Sequence, residues 1–246
     1  MIWVLPICFR SCVLALALVT SAAAGTVSGR VELLSSHDPS VRKHTDYSGV
    51  VVWLEPLSGA PVVATSMIPA SAGRSQMVQK NKTFSPHVLA ISVGTTVDFP
   101  NFDPIFHNAF SNYNGQIFDI GLYPPGTTRS LAFRREGVVR VFCNIHPTMS
   151  AVIVVLKSPY FATSAKTGAF EIANVPAGSY RLHVFHERAA EETLAALTRM
   201  IAVGDGPLQL PAVEISESGF LELPHKNKFG KDYPPADSGG YMGAKP

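Results

Sequence analysis

The chain has 246 residues and a formal net charge of +2; 15% of its residues are charged and 46% are hydrophobic. A charged share well under the usual ~25% argues against a disordered chain, and the near-neutral balance argues against the basic face of a nucleic-acid binder. The length suits one or two domains with a buried core, and 19 Gly with 19 Pro favour short strands joined by turns.

Near the N-terminus, Arg10 precedes an uncharged apolar run from Cys12 to Val19, and Ser21-Ala22-Ala23-Ala24 follows. This pattern predicts a signal peptide over 1–24, cleaved after Ala24; the run is too short for a span of ~20 residues. An uncleaved N-terminal anchor is the alternative. No other stretch is apolar and long enough to cross a bilayer, so the mature chain is expected to be periplasmic or secreted, with no membrane span. Cys8 and Cys12 leave with the signal, and Cys143 is then alone. A lone thiol in an oxidising compartment is buried and inert, linked to another chain, or bound to a metal.

Residues 26–34 alternate loosely, as a strand does, whereas 35–48 are polar and turn-rich without a pattern. Gly49–Pro56 reads as a buried strand ended by proline, and 57–75 as a Gly/Pro/Ser/Ala connector. From Gln76 onward, Leu89, Ile91 and Val93 alternate, Gly94-Thr95 turns the chain, and Val97 and Phe99 alternate in a return strand. Residues 101–130 are irregular. Val139, Val141 and Cys143 share one face of a strand, and Ala151–Leu156 is a last apolar strand. No helical periodicity interrupts 76–156, which predicts a small antiparallel sandwich or barrel. Beyond it, 169–173, 180–185, 200–203 and 212–215 are strand candidates, with a tight turn over Val175–Ser179 and two helical turns within 187–197. Residues 221–246 have no periodicity and read as an extended or disordered tail.

The informative stretch is Cys143-Asn144-Ile145-His146-Pro147-Thr148-Met149, directly after a strand, with His107 upstream in Phe106-His107-Asn108. Two imidazoles, a thiolate and a weak axial thioether form the ligand set of a blue-copper site. Cu(I) prefers soft sulfur and Cu(II) accepts imidazole, so a mixed set serves both oxidation states. Taken singly, each residue has an ordinary reading: a loop histidine, a buried cysteine acting as a small hydrophobe, a core methionine. Their joint placement favours copper; zinc is the other candidate metal, although thioether is a poor zinc ligand. His183 and His186 lie three apart on a predicted strand and point to opposite faces, and His37 and His44 read as surface loop residues. No Ser/His/Asp order, phosphate loop or His-Glu-x-x-His is present, so no enzyme activity is expected.

The stretch 76–156 resembles the cupredoxins, through Phe84-Ser85-Pro86, Ile91–Gly94, Val97–Phe99, His107-Asn108 and the Cys143 loop in that order; the Cys-x2-His-x2-Met spacing is similar to that of amicyanins. The resemblance implies His107, Cys143 and His146 as equatorial copper ligands, Met149 as axial ligand, and Asn108 as the residue tying the His107 loop to the Cys143 loop. It also implies that His146 presents a ring edge to solvent through an apolar rim including Pro104, Ile105 and Pro147. The strand Val97-Asp98-Phe99 lacks the tryptophan common in the family. A second stretch, Gly168-Ala169-Phe170 through Asn174-Val175-Pro176-Ala177-Gly178, resembles carboxypeptidase regulatory-like domains of the transthyretin type. These resemblances imply an all-β chain: a Greek-key cupredoxin sandwich over 76–156, inserted in or flanked by a regulatory-like sandwich made of 25–65 and 158–220. The arrangement is similar to exported proteins labelled methylamine-utilisation or plastocyanin-like. The expected function is a one-electron carrier between periplasmic redox partners; the alternative is copper delivery or sequestration.

Overall fold

A computed structural model describes residues 24–57, 73–112, 115–220 and 225–233. The predicted signal peptide, apart from Ala24, lies outside the described residues, as do Cys8, Cys12 and most of the 57–75 connector. Among the described residues no helix is long and apolar enough to cross a membrane. In chain order the elements are β1 (Ala24–Leu34), α1 (Pro39–His44), β2 (Val51–Pro56), β3 (Arg74–Gln76), β4 (Val78–Lys80), β5 (Thr83–Ser85), β6 (Val88–Ser92), β7 (Thr96–Pro100), β8 (Phe110–Ser111), β9 (Phe118–Asp119), β10 (Thr128–Ala132), β11 (Gly137–Phe142), β12 (Ser150–Leu156), β13 (Phe161–Thr163), β14 (Ala169–Pro176), β15 (Gly178–Phe185), α2 (Glu191–Leu197), β16 (Arg199–Val203), β17 (Leu208–Gln209) and β18 (Val213–Ser216).

Strands from both ends of the chain share sheets. β1 pairs with β14, β17 and β18, and a second sheet runs β13-β2-β15-β16. These two sheets enclose one core, with Val27, Val31, Val52, Leu54, Ile172, Tyr180, Leu182 and Ile215 buried in it. The turn into β14 needs Gly168, at φ +82°, because any Cβ there would collide with the Val31 carbonyl. The middle of the chain forms a three-stranded sheet, β10-β7-β3, facing a five-stranded sheet, β6-β12-β11-β8-β9. Their core contains Met77, Phe99, Tyr123, Phe133, Val141 and Ile153, and at one end Cys143 and Met149.

This middle unit is mixed rather than purely antiparallel. β6 runs parallel to β12, and β3 parallel to β7. The Gly94-Thr95 turn is a corner, not a hairpin: it carries the chain from the sheet of β6 to the opposite sheet of β7. β6 and β7 thus lie on opposite faces of the core and do not pair with each other: β6 pairs with β12, and β7 with β10 and β3. Gly94 makes the corner at φ +93°, and its N–H donates to the Phe133 carbonyl at 2.6 Å.

Two strands carry continuous apolar runs, Val51–Leu54 and Ala151–Leu156, because both faces are covered there. On β12, Ala151, Ile153 and Val155 enter the middle core, while Val152, Val154 and Leu156 face the other way. On β2, Val52 and Leu54 enter the terminal core, while Val51 faces outward. The outward residues meet in a third apolar layer with Val88, Trp53, Phe161 and Phe185. The two units therefore stack back to back, which explains continuous runs where a half-exposed strand would alternate.

The short helix α1 falls in a stretch whose sequence shows no pattern. It is set by its start rather than by an apolar face: Asp38 accepts from the Ser40 N–H at 2.7 Å, Pro39 occupies the first turn, and Val41 is its one buried residue. Helix α2 lies within the predicted 187–197 stretch.

Candidate metal centre

The Cys143 loop is the turn of the β11–β12 hairpin. Phe142 pairs with Ser150 as the last rung. Beyond it, the Cys143 N–H donates to the Met149 carbonyl and the Met149 N–H to the His146 carbonyl, each at 3.1 Å. These two bonds bend seven residues into a closed loop with Cys143 at the strand end and His146 at the tip. Cys143 and Met149 are fully buried, His146 is half-buried, and Pro147 and Thr148 are exposed.

His107 comes from the loop between β7 and β8. It forms a bridge with Tyr123, its N–H donating to the Tyr123 carbonyl at 3.2 Å and its carbonyl accepting from the Tyr123 N–H at 2.9 Å. The Asn101 amide braces the same loop by donating to the Ile105 carbonyl at 2.8 Å, and the Tyr123 hydroxyl donates to the Phe99 carbonyl at 2.8 Å. His107 is thus wholly buried on a rigid support.

These placements bring His107, Cys143 and His146 together, with their ligand atoms all within 4.8 Å of one another. The Cys143 sulfur lies 3.7 Å from His107 Nδ1 and 3.5 Å from His146 Nδ1. The two rings sit 4.7 Å apart, tilted by 57°. Bonds of about 2.0 Å to nitrogen and about 2.3 Å to sulfur at trigonal angles put N and S about 3.7 Å apart. The three atoms therefore fit around a single ion.

The environment favours metal-ready forms. His107 Nε2 lies 2.8 Å from a carboxylate oxygen of Asp103. A carboxylate only accepts, so Nε2 carries the proton and Nδ1 offers its lone pair to the centre. Burial pushes the Asp103 carboxyl up, but the Lys82 N–H, His107 and the Asn81 N–H outweigh it and hold it below its ordinary value. Burial pulls His146 down to about 4, aided by His107 and Lys82, so its ring is neutral at pH 7. Burial also pushes the Cys143 thiol up, against the N–H groups of Asn108, Ile145 and His146 that face the sulfur. A bound cation supplies the opposing charge that makes the thiolate the stable form.

Asn108 ties the two loops. Its Oδ1 accepts from the Asn144 N–H at 2.6 Å, and its Nδ2 donates to Asp119 at 3.3 Å. The apolar residues implied for the rim differ in exposure: Pro104 and Pro147 are exposed, and Ile105 is half-buried. Phe102 and Phe106 on the same loop are 62% and 40% exposed, the larger apolar surface and one that sequence reasoning missed. Asp103 was missed too; its only signal is an acid four residues before the histidine. His183 and His186 do not converge: His183 stacks on Trp53 at 4.9 Å, and His186 pairs with buried Glu217 at 2.8 Å. His37 and His44 are exposed.

No family model matches the chain. Among curated proteins it is 32% identical over 81 residues to the methylamine utilization protein MauL of Methylorubrum extorquens, covering 71% of that protein and 32% of this chain. Among solved structures it is similar to a purple cupredoxin from Nitrosopumilus maritimus, at 30% identity over 33% of this chain and 99% of that one, with a TM-score of 0.31. A reduced amicyanin mutant matches at 21% identity over 38% of this chain and 90% of that one, with a TM-score of 0.31. The copper-containing nitrite reductase of Thermus scotoductus matches at 28% identity over 35% of this chain, but over only 23% of its own length, with a TM-score of 0.33.

Proposed function

From a chain that belongs to the family of the methylamine utilization protein MauL and carries a cupredoxin domain, we propose an exported one-electron carrier with a type 1 copper site held by His107, Cys143, His146 and Met149. The observation that carries the reading is the convergence of two imidazole nitrogens on one thiol sulfur, inside a hairpin loop whose next buried side chain is Met149. Copper bound there would accept and release one electron.

The chain's own residues keep that exchange cheap. His107 is locked by Asp103 and the Tyr123 bridge, and the Cys143 loop by its two internal bonds. Ligands that cannot move hold one geometry for both oxidation states, so little rearrangement accompanies each transfer. His107 and Cys143 are sealed from water, while half-buried His146 lies between the centre and solvent. Its ring edge is the proposed point of electron entry and exit, and the exposed Phe102, Phe106 and Pro147 offer apolar surface to a redox partner. A periplasmic location is part of the proposal and rests on the predicted signal over 1–24.

A visible spectrum of the copper-loaded, oxidised protein tests the reading. The expected result is an intense thiolate-to-Cu(II) band that Cys143→Ser abolishes, with reversible one-electron voltammetry. A colourless wild type that takes up one equivalent of zinc and no copper would refute it.

A further inference from the structure

The C-terminal residues 225–233 lack sequence periodicity, yet they are packed against the loops of the metal centre. Their shape is locally determined: Asn227 Oδ1 accepts from the Phe229 N–H at 2.9 Å and the Lys231 N–H at 3.1 Å. The His225 ring stacks on Phe142 at 4.2 Å and 24°, and Tyr233 meets His225 edge-on at 5.2 Å. The Tyr233 hydroxyl donates to the Cys143 carbonyl at 2.8 Å. The segment thus touches the residue before the thiol and the thiol residue itself.

It also closes a ring of hydrogen bonds. The Asn144 N–H donates to Asn108 Oδ1 at 2.6 Å, and Asn144 Oδ1 accepts from the Lys228 N–H at 2.9 Å. Lys228 Nζ donates to Asp119 Oδ2 at 2.7 Å, and Asp119 Oδ1 accepts from Asn108 Nδ2 at 3.3 Å. Two members of this ring, Asn108 and Asn144, directly follow His107 and Cys143. Beside the β9–β8–β11 ladder and Asn108, Lys228 adds a direct link between Asn144 and Asp119 from outside residues 76–156.

We propose that His225–Tyr233 is a clamp on the metal centre, in which Lys228 and Tyr233 are positioning residues that fix the spacing of the His107 and Cys143 loops from outside the cupredoxin domain. The proposal rests on the copper reading for its spectroscopic consequences but not for its structural ones. The Asn108 N–H faces the Cys143 sulfur, so a looser Asn108 donates less well to the thiolate. A thiolate with weaker hydrogen bonds favours the oxidised metal.

The test uses the full chain with Lys228→Ala, which removes the bond to Asp119, and Tyr233→Phe, which keeps the ring packing and removes the hydroxyl. In the metal-free protein, hydrogen exchange at the Asn144 amide should quicken by about tenfold in the double variant. In the copper-loaded protein the reduction potential should fall and the relative intensities of the thiolate–copper bands should change, with the thermal midpoint of the stacked sheets unmoved. Exchange, potential and bands all equal to wild type would overturn the clamp. Faster exchange in a chain whose wild type shows no thiolate–copper band would support the clamp and overturn the copper reading instead.

Discussion

The Asp103 carboxylate accepts a hydrogen bond from His107 Nε2 at 2.8 Å while also accepting from the N–H groups of Asn81 at 2.6 Å and Lys82 at 2.8 Å. One buried acid therefore orients a candidate ligand and secures the turn between β4 and β5. Asp103→Ala should free the His107 ring and lower copper affinity by about 10–100-fold, the usual effect of losing a partner behind a ligating histidine. A chelator-competition titration measures it. An unchanged affinity would mean that the Tyr123 bridge alone orients His107.

Met149→Leu preserves volume at a fully buried position, so its cost in stability should stay below about 1.5 kcal/mol. Its effect should appear in the potential. Removing the proposed axial thioether donor would favour Cu(I), so protein-film voltammetry should show a higher reduction potential than wild type with the blue band retained.

Glu217 gives the terminal sheets a pH dependence. It accepts from Ser36 at 2.6 Å, His186 at 2.8 Å and Arg188 at 3.1 Å. Burial raises its pKa, but the bonds from His186, Arg188 and Ser36 outweigh burial and bring it from 4.5 to about 2. A depressed carboxyl contributes stability that is present above pH 4.5 and is lost as the pH falls toward 2. Thermal melts of wild type should show this loss in that window, and Glu217→Ala should show a smaller one, since Asp38, Asp103 and Glu187 are held low as well. At pH 7 the same variant should be destabilised by about 1–3 kcal/mol, because the buried His186 ring and the Ser36 hydroxyl lose their partner, while Asp38 and Glu187 remain beside Arg188.

The terminal sheets should not survive division of the chain. β1 holds β14, β17 and β18, and β2 lies between β13 and β15. Residues 158–220 alone would lose the central strand of each sheet and expose Ile172, Leu182 and Ile215. They are expected to show no cooperative melt by circular dichroism. Joining 25–57 to them through a short Gly/Ser linker should restore one. A cooperative melt of 158–220 by itself would contradict the discontinuous-domain reading.

The sequence by itself determined the mostly-strand character of the chain and the candidate ligand loop. Both are local. The run Ala151–Leu156 is strand-forming wherever it packs, and Cys143, His146 and Met149 lie within one hairpin turn, so their spacing alone places them on a common loop. His107 was legible because its residue type completed a ligand set that the loop began. Tertiary structure decided the rest. Gly94-Thr95 reads the same as a hairpin turn and as a corner between sheets; only the distant partners of β6 and β7 distinguish them. Asp103, Lys228 and Tyr233 are polar residues in irregular stretches, where no periodicity marks a role. Each acquires one by meeting atoms of His107, Asn144 or Cys143, and for Lys228 and Tyr233 those atoms lie 84 and 90 residues away. Such contacts depend on how two separately formed surfaces close on each other, which no one-dimensional pattern of hydrophobicity or spacing encodes.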